Sequence, residues 1–173
     1  IDIILNKLNT IKPSDESHSL KKFYKSVETR AEGIISTHGR QTLILELYDK
    51  FFKHAFPSLS QELGIVYTPC EIVDFIIYSV NDILANNFGK TLSNKNVNII
   101  DPFTGTGTFI TRLLQSNIIN NENIHHKYKN EIHANEMVLL AYYISTINIE
   151  STYHDLFGGE EYVPFNGSVL TDT

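Results

Sequence analysis

At 173 residues the chain can form one ordinary domain with its own core, and its formal net charge of −6 sets it apart from free-standing DNA-binding domains, which are usually basic because their affinity comes largely from neutralised phosphates. Either nucleic acid is not a partner or the basic groove lies elsewhere. With 42% apolar and 20% charged residues and no apolar run near the roughly 18 residues needed to cross a bilayer, the composition suits a soluble globular chain and argues against a membrane partner.

The first stretch, IDIILNKLNT, is short, carries one Lys and lacks a small-residue cleavage site, so it does not read as a signal peptide. The polar IKPSDESHS that follows ends in candidate helix caps. Leu20, Phe23, Tyr24, Val27 and Ala31 recur at spacings of three and four, which predicts a first helix ending near Gly33. Leu43, Leu47, Phe51, Phe52 and Phe56 form a second helical stripe, stopped by Pro57. Core packing between two helices accounts for these aromatics. Their polar faces hold Lys21, Lys22, Lys25, Arg30, Arg40, Lys50 and Lys53, seven of the 14 basic residues. A solvated helix face or a side turned toward DNA or another domain would each explain that charge.

A third helix is predicted over PCEIVDFIIYSVNDILANNFGK, with Thr68 at the N-cap, Pro69 in the first turn and Gly89 as the C-terminal cap. The pattern then changes. NVNIID reads as a strand, GTFITRLLQSNII as a helix, and HKYKNEIHANE as a second strand ending near Glu136. MVLLAYYISTINIESTYHD is a further helix with Leu139, Leu140, Tyr143 and Ile147 on one face, and EYVPFNGSVLTD holds a third strand. A β-α-β-α-β order predicts an α/β fold with a parallel sheet and right-handed crossovers. The expected division is a helical segment over residues 1–63 and an α/β part over 64–173. The last residues, GSVLTDT, read as a strand entering a turn, which suggests a piece of something longer.

The first strand runs directly into DPFTGTGTF. In parallel sheets ligands sit beyond the C-terminal strand ends, and the first strand-to-helix turn is the usual cradle. Gly105 and Gly107 remove two Cβ atoms where a ligand would approach the backbone, and the next helix starts with unpaired N–H groups that favour a negative group. A Walker-type phosphate loop needs Lys and then Ser or Thr after its second Gly, whereas here TFI follows. A dinucleotide fingerprint needs a third Gly, whereas Ile110 stands there. What remains is a glycine turn preceded by an acid, Asp101. It suits a ligand with a cationic centre, an amino-acid moiety and a nucleoside, and S-adenosylmethionine (SAM) has all three. Glu136, at the end of the second strand, is placed to accept hydrogen bonds from ribose hydroxyls. It lies 35 residues beyond Asp101, a wider gap than usual, which the polar SNIINNENIHHKYKN would absorb as an elaborated loop. Capping of the next helix is the simpler alternative for Glu136.

Three segments together, GIVYTPCEIVDFI, DPFTGTGTFITRLL and ANEMVLLAYYISTINIE, resemble the N6-adenine DNA methyltransferases of bacterial restriction-modification systems. The likeness is greatest to the single-chain helicase-methyltransferase enzymes called Type ISP, and it runs from about Leu20 to the end. The resemblance implies a SAM-dependent methyltransferase (Rossmann-like) sheet, truncated here and preceded by a helical segment. It implies that Tyr67, Thr68 and Pro69 line the methionine end of SAM. It implies that Asp101, Pro102, Phe103, Thr104, Gly105, Thr106 and Gly107 surround the ligand, with Asp101 facing its ammonium group. Glu136 would hold the ribose, and Asp172 would approach the adenine. DNA and the other domains of the same polypeptide, motor and target recognition, are the implied partners.

The Asn-Pro-Pro-Tyr type of motif that amino-methyltransferases carry is absent from these residues, and YVPFN (Tyr162–Asn166) is a poor substitute. Its acceptors help localise the target amine's lone pair, and its aromatic ring stacks on the flipped base. The expectation is therefore a chain that binds SAM but does not methylate DNA alone. A non-enzymatic docking module with a relic cofactor fold and a nucleotide-dependent oxidoreductase are the competing readings. The histidines, His125, His126 and His133 among them, lack zinc-ligand spacing. His154 and Asp155 read as a surface pair rather than a catalytic couple. The single cysteine, Cys70, excludes an internal disulfide and fits a reducing, cytoplasmic setting. It reads as a small buried residue near the start of its helix.

Overall fold

The computed structural model describes Lys25, Thr29 and residues 68–158 and 161–172. The chain divides into two compact units, Ile1–Phe51 and Phe52–Thr173. In the first, Lys25 and Thr29 are helical, and the Thr29 hydroxyl donates to the Lys25 carbonyl at 2.8 Å. The two N-terminal helices expected from sequence otherwise lie outside the described residues, as does Tyr67.

The described part of the second unit runs α1 (Cys70–Phe88), β1 (Ile99–Asp101), α2 (Thr108–Gln115), α3 (Asn121–Asn130), β2 (Ile132–Glu136), α4 (Leu139–Phe157) and β3 (Ser168–Leu170). Helix α1 ends as its sequence predicts. Gly89 takes the left-handed conformation, and the N–H groups of Gly89 and Lys90 return to the carbonyls of Ala85 and Leu84. Its start differs from expectation. Pro69, not Thr68, is the N-cap, and no side chain caps this end. The proline ring supplies extended backbone ahead of the helix, and its carbonyl takes the first helical bonds, from Ile72 and Val73.

The three strands are parallel and lie in the order β1-β2-β3, with Asp101 opposite Ala134 and Glu136 opposite Leu170. All three C-terminal strand ends therefore share one edge. Helices α2 and α4 pack on each other, and Tyr128 of α3 stacks on Tyr153 of α4 with ring centroids 3.8 Å apart. The helices thus occupy one side of the sheet, as consecutive right-handed crossovers require. Ile100 and Val169 alternate to the other side, where they are 65% and 53% exposed. The core lies between the sheet and its helices and includes Val73, Ile110, Leu114, Ile132, Ile149 and Tyr153. No described helix is long and apolar enough to cross a membrane.

One expectation is corrected here. The polar stretch after α2 is not a loop throughout, because residues 121–130 form helix α3. Ile124 and Tyr128, four apart, are buried, and so is Lys127. Lys127 can be buried because its ammonium sits 2.7 Å from the Glu131 carboxylate and donates to the Val97 carbonyl at 2.6 Å. The apolar face of α4 formed by Leu139, Leu140, Tyr143 and Ile147 is exposed. The buried side of α4 carries Ala141, Ser145, Asn148, Ile149, Thr152 and Tyr153, and its small Ser145 lies where the glycine turn approaches.

Candidate functional site at the strand ends

Strand β1 delivers Asp101 to the sheet edge, and the chain then folds into a hydrogen-bonded turn. Asp101 Oδ1 accepts the Phe103 N–H at 3.2 Å, and its backbone carbonyl accepts the Thr104 hydroxyl at 2.9 Å. The Gly107 N–H closes onto the Thr104 carbonyl at 2.9 Å. Gly105 and Gly107 adopt φ of +56° and +85°, where a side chain would be strained. They differ in surroundings. A Cβ on Gly107 would lie 3.2 Å from the Ser145 carbonyl, whereas a Cβ on Gly105 would meet nothing within 4 Å. Gly107 lets α4 approach the turn, and Gly105 borders open space.

The neighbouring strand holds this turn. The Thr104 N–H donates to the Asn135 carbonyl at 3.0 Å, and the Asn135 amide donates to the Pro102 carbonyl at 3.2 Å. Glu136 is buried at the end of β2. One of its oxygens accepts the Gly105 N–H and the other the Val138 N–H, both at 2.8 Å. Each carboxylate oxygen has a second lone pair, so these bonds leave acceptor capacity for a ligand. From α4, the Asn148 amide donates to the Thr106 carbonyl at 2.9 Å.

Two buried side-chain oxygens at this edge lack a hydrogen-bond partner, Asn135 Oδ1 and Asp101 Oδ2. Burial pushes the Asp101 carboxyl above the usual aspartate range. The Phe103 N–H opposes that rise, and the nearby Glu136 carboxylate adds to it. Two acids at adjacent strand ends with one buried oxygen unfilled make a place for a cation or for strong donors.

Helix α1 joins the site through its alignment with α2. Arg112 forms a two-pronged ion pair with Asp74, with Nε 2.8 Å from Oδ1, and the Tyr78 hydroxyl donates to the Ser116 carbonyl at 3.2 Å. Both contacts link residues 38 apart, so α1 and α2 run side by side in the same direction. One turn earlier, the same offset sets Cys70 level with Thr108. The start of α1, with half-buried Thr68 and exposed Pro69, therefore stands beside the start of α2, which Gly107 caps. Two helix N-termini face the same edge, a setting that favours a carboxylate.

The remaining expected residues fall around this centre. Thr104 is buried, Thr106 half-buried, Pro102 exposed and Phe103 78% exposed. The Thr171 N–H donates to the Glu136 carbonyl at 3.1 Å, so Asp172 follows at the third strand end, exposed to solvent. Asn135, Ser145 and Asn148 escaped the reading of the sequence. Asn135 had a signal, adjacency to Glu136. Asn148 had one too, a weak helix former in mid-helix. Among the described residues, no group of three or more His, Cys, Asp or Glu side chains is placed to hold a metal ion.

Fold and site define an α/β unit whose parallel strands end in a glycine turn flanked by two carboxylates. Three solved structures are similar to this chain. This chain is 39% identical, over 91% of its length, to part of the DrdV–DNA complex, with a TM-score of 0.80 and 15% of that chain covered. It is 53% identical over 91% of its length to LlaBIII, an ATP-dependent Type ISP restriction-modification enzyme bound to DNA, with a TM-score of 0.72 and 11% of that chain covered. It is 48% identical over 99% of its length to a nuclease-deletion mutant of the Type ISP enzyme LlaGI in complex with a DNA substrate mimic, with a TM-score of 0.70 and 14% of that chain covered. The chain is thus similar to a segment of Type ISP restriction-modification enzymes and spans between 11% and 15% of the three chains. No protein-family profile and no curated protein matches it.

Proposed function

We propose that this chain is the SAM-binding portion of a site-specific DNA adenine-N6 methyltransferase within a restriction-modification enzyme. The observation that carries the proposal is the buried, unpartnered Oδ2 of Asp101 beside Glu136 at converging strand ends. Asp101 would accept the ammonium group of SAM, and the starts of α1 and α2, with Thr68, Pro69 and Tyr67, its carboxylate. Glu136 would use its remaining lone pairs for the ribose hydroxyls, with Asp172 near the adenine. Pro102, Phe103, Thr104, Gly105, Thr106 and Gly107 would wall the ligand, and the open space at Gly105 fits a close approach. SAM supplies an electrophilic methyl group on a sulfonium centre.

The chain's own part is to bind and orient. Its acids favour a cation and its helix starts favour an anion, a combination that would suit a zwitterionic end group. DNA, through the remainder of the enzyme, and the motor and target-recognition domains of the same polypeptide are the proposed partners. The DNA complexes of its structural relatives support DNA as a partner. The Asn-Pro-Pro-Tyr type of motif is absent from these 173 residues, so methyl transfer to adenine is expected only from a longer polypeptide. Isothermal titration of SAM into the chain and its Asp101→Ala variant tests the reading. Saturable binding that the substitution removes is expected, and equal heats from both proteins would refute it.

A further inference from the structure

We propose that Asn148 is a positioning residue for the ligand-binding glycine turn, acting from α4 through the Thr106 carbonyl. The inference rests on the SAM reading for its ligand and on geometry for its mechanism. Asn148 is 4% exposed in the middle of a 19-residue helix. Asparagine is a poor helix former, and neither a cap nor a bend explains it here. Its amide instead donates to the Thr106 carbonyl at 2.9 Å across 42 residues of sequence. The Thr152 hydroxyl donates to the Asn148 backbone carbonyl at 2.7 Å and braces that part of the helix.

The surrounding stretch of α4 is a bed for the turn. The Ser145 carbonyl and Ile149 Cγ1 lie 3.2 and 3.3 Å from where a Cβ of Gly107 would stand. Holding the Thr106 carbonyl fixes the plane of the Thr106–Gly107 peptide and hence the Gly107 N–H that closes onto Thr104. The two glycines flanking Thr106 carry the softest dihedrals in the turn. Without the Asn148 bond only the Gly107 N–H restrains this peptide, and ligand binding must then order it further. Asn148 thus secures one side of the turn, as Glu136 secures the other through Gly105.

The test compares the 173-residue chain with Asn148→Asp and Asn148→Ala. At neutral pH, Asn148→Asp sets a carboxylate against the Thr106 carbonyl, and SAM affinity falls about tenfold or more, the loss of one buried hydrogen bond plus a repulsion. On acidification a protonated carboxyl donates to Thr106 again, so the gap between variant and wild type narrows. A purely structural role would lower the melting temperature and leave that gap independent of pH, which would overturn the proposal. If Asn148→Asp does not fold, Asn148→Ala gives the answer by hydrogen exchange without ligand. Faster exchange of the Gly105 and Gly107 amides is expected, and unchanged exchange contradicts the proposal. A wild-type chain that binds no SAM defeats the functional reading, while the exchange result still decides the role of Asn148 in the turn.

Discussion

The Glu136 carboxylate accepts the amide proton of Gly105 at 2.8 Å, across 31 residues of sequence. Strand β2 thereby holds the turn that strand β1 begins, and the acid proposed to meet the ligand also shapes the turn. Its other oxygen fixes Val138 at the entry to α4. Replacing Glu136 with Ala strands two N–H groups, and we expect a stability loss of about 1–3 kcal/mol in chemical denaturation. Glu136→Gln keeps an acceptor for one N–H and should lose less. Both variants should bind SAM at least about tenfold more weakly.

Asp101→Asn should separate stability from binding. Its raised carboxyl means that the folded state favours the protonated form. The group's contribution is therefore fully present below the unfolded value near 3.8 and is lost as pH rises through the folded value. At neutral pH the neutral amide removes that penalty, so we expect an unchanged or raised melting temperature together with loss of SAM binding. Wild-type affinity should grow as pH rises through the same range, because the ammonium group prefers ionised Asp101. A lowered melting temperature with intact binding would count against the site.

The two glycines should respond differently to alanine. Gly107→Ala meets both a positive φ and the Ser145 carbonyl at 3.2 Å, and overpacking with strain should cost about 2–4 kcal/mol. Gly105→Ala meets only its φ of +56°, a cost of about 1–2 kcal/mol. Its methyl group projects into open space at the turn, so SAM binding should suffer more than stability.

Much of this was legible in the sequence, because local signals coincide with the tertiary result. β-Branched NVNII, the small residues of the turn and Gly89 each determine their own backbone. Asp101 and Glu136 announce themselves by ending strands. Helix α3 was hidden because its polar composition masks a buried side that depends on the Lys127–Glu131 pair. Periodicity shows the apolar stripe of α4 as one helical face, but the side that packs on the glycine turn is the one with Ser145, Asn148 and Ile149. Asn135 and Asn148 act on carbonyls 33 and 42 residues away, contacts that no local pattern encodes.

The buried Lys127–Glu131 pair should make the fold sensitive to acid. Burial works against the Glu131 carboxylate, but Lys127, the Asn96 N–H and His126 outweigh it and bring its pKa down from 4.5 to about 2. Its stabilisation is present above 4.5 and is lost as pH falls through about 2. Lys127→Met leaves that carboxylate buried without its cation and should cost about 3–5 kcal/mol. The double change Lys127→Met with Glu131→Leu should recover much of the loss, as urea titrations at neutral pH would show.

The central claim is that the turn between Asp101 and Gly107 holds a sulfonium nucleoside rather than a pyrophosphate. Equilibrium dialysis of the chain against labelled SAM, with unlabelled NAD as competitor, addresses it most directly. We predict one saturable SAM site that NAD does not displace and that Asp101→Ala abolishes. Displacement by NAD, or no SAM retained by the folded wild-type chain, would contradict it.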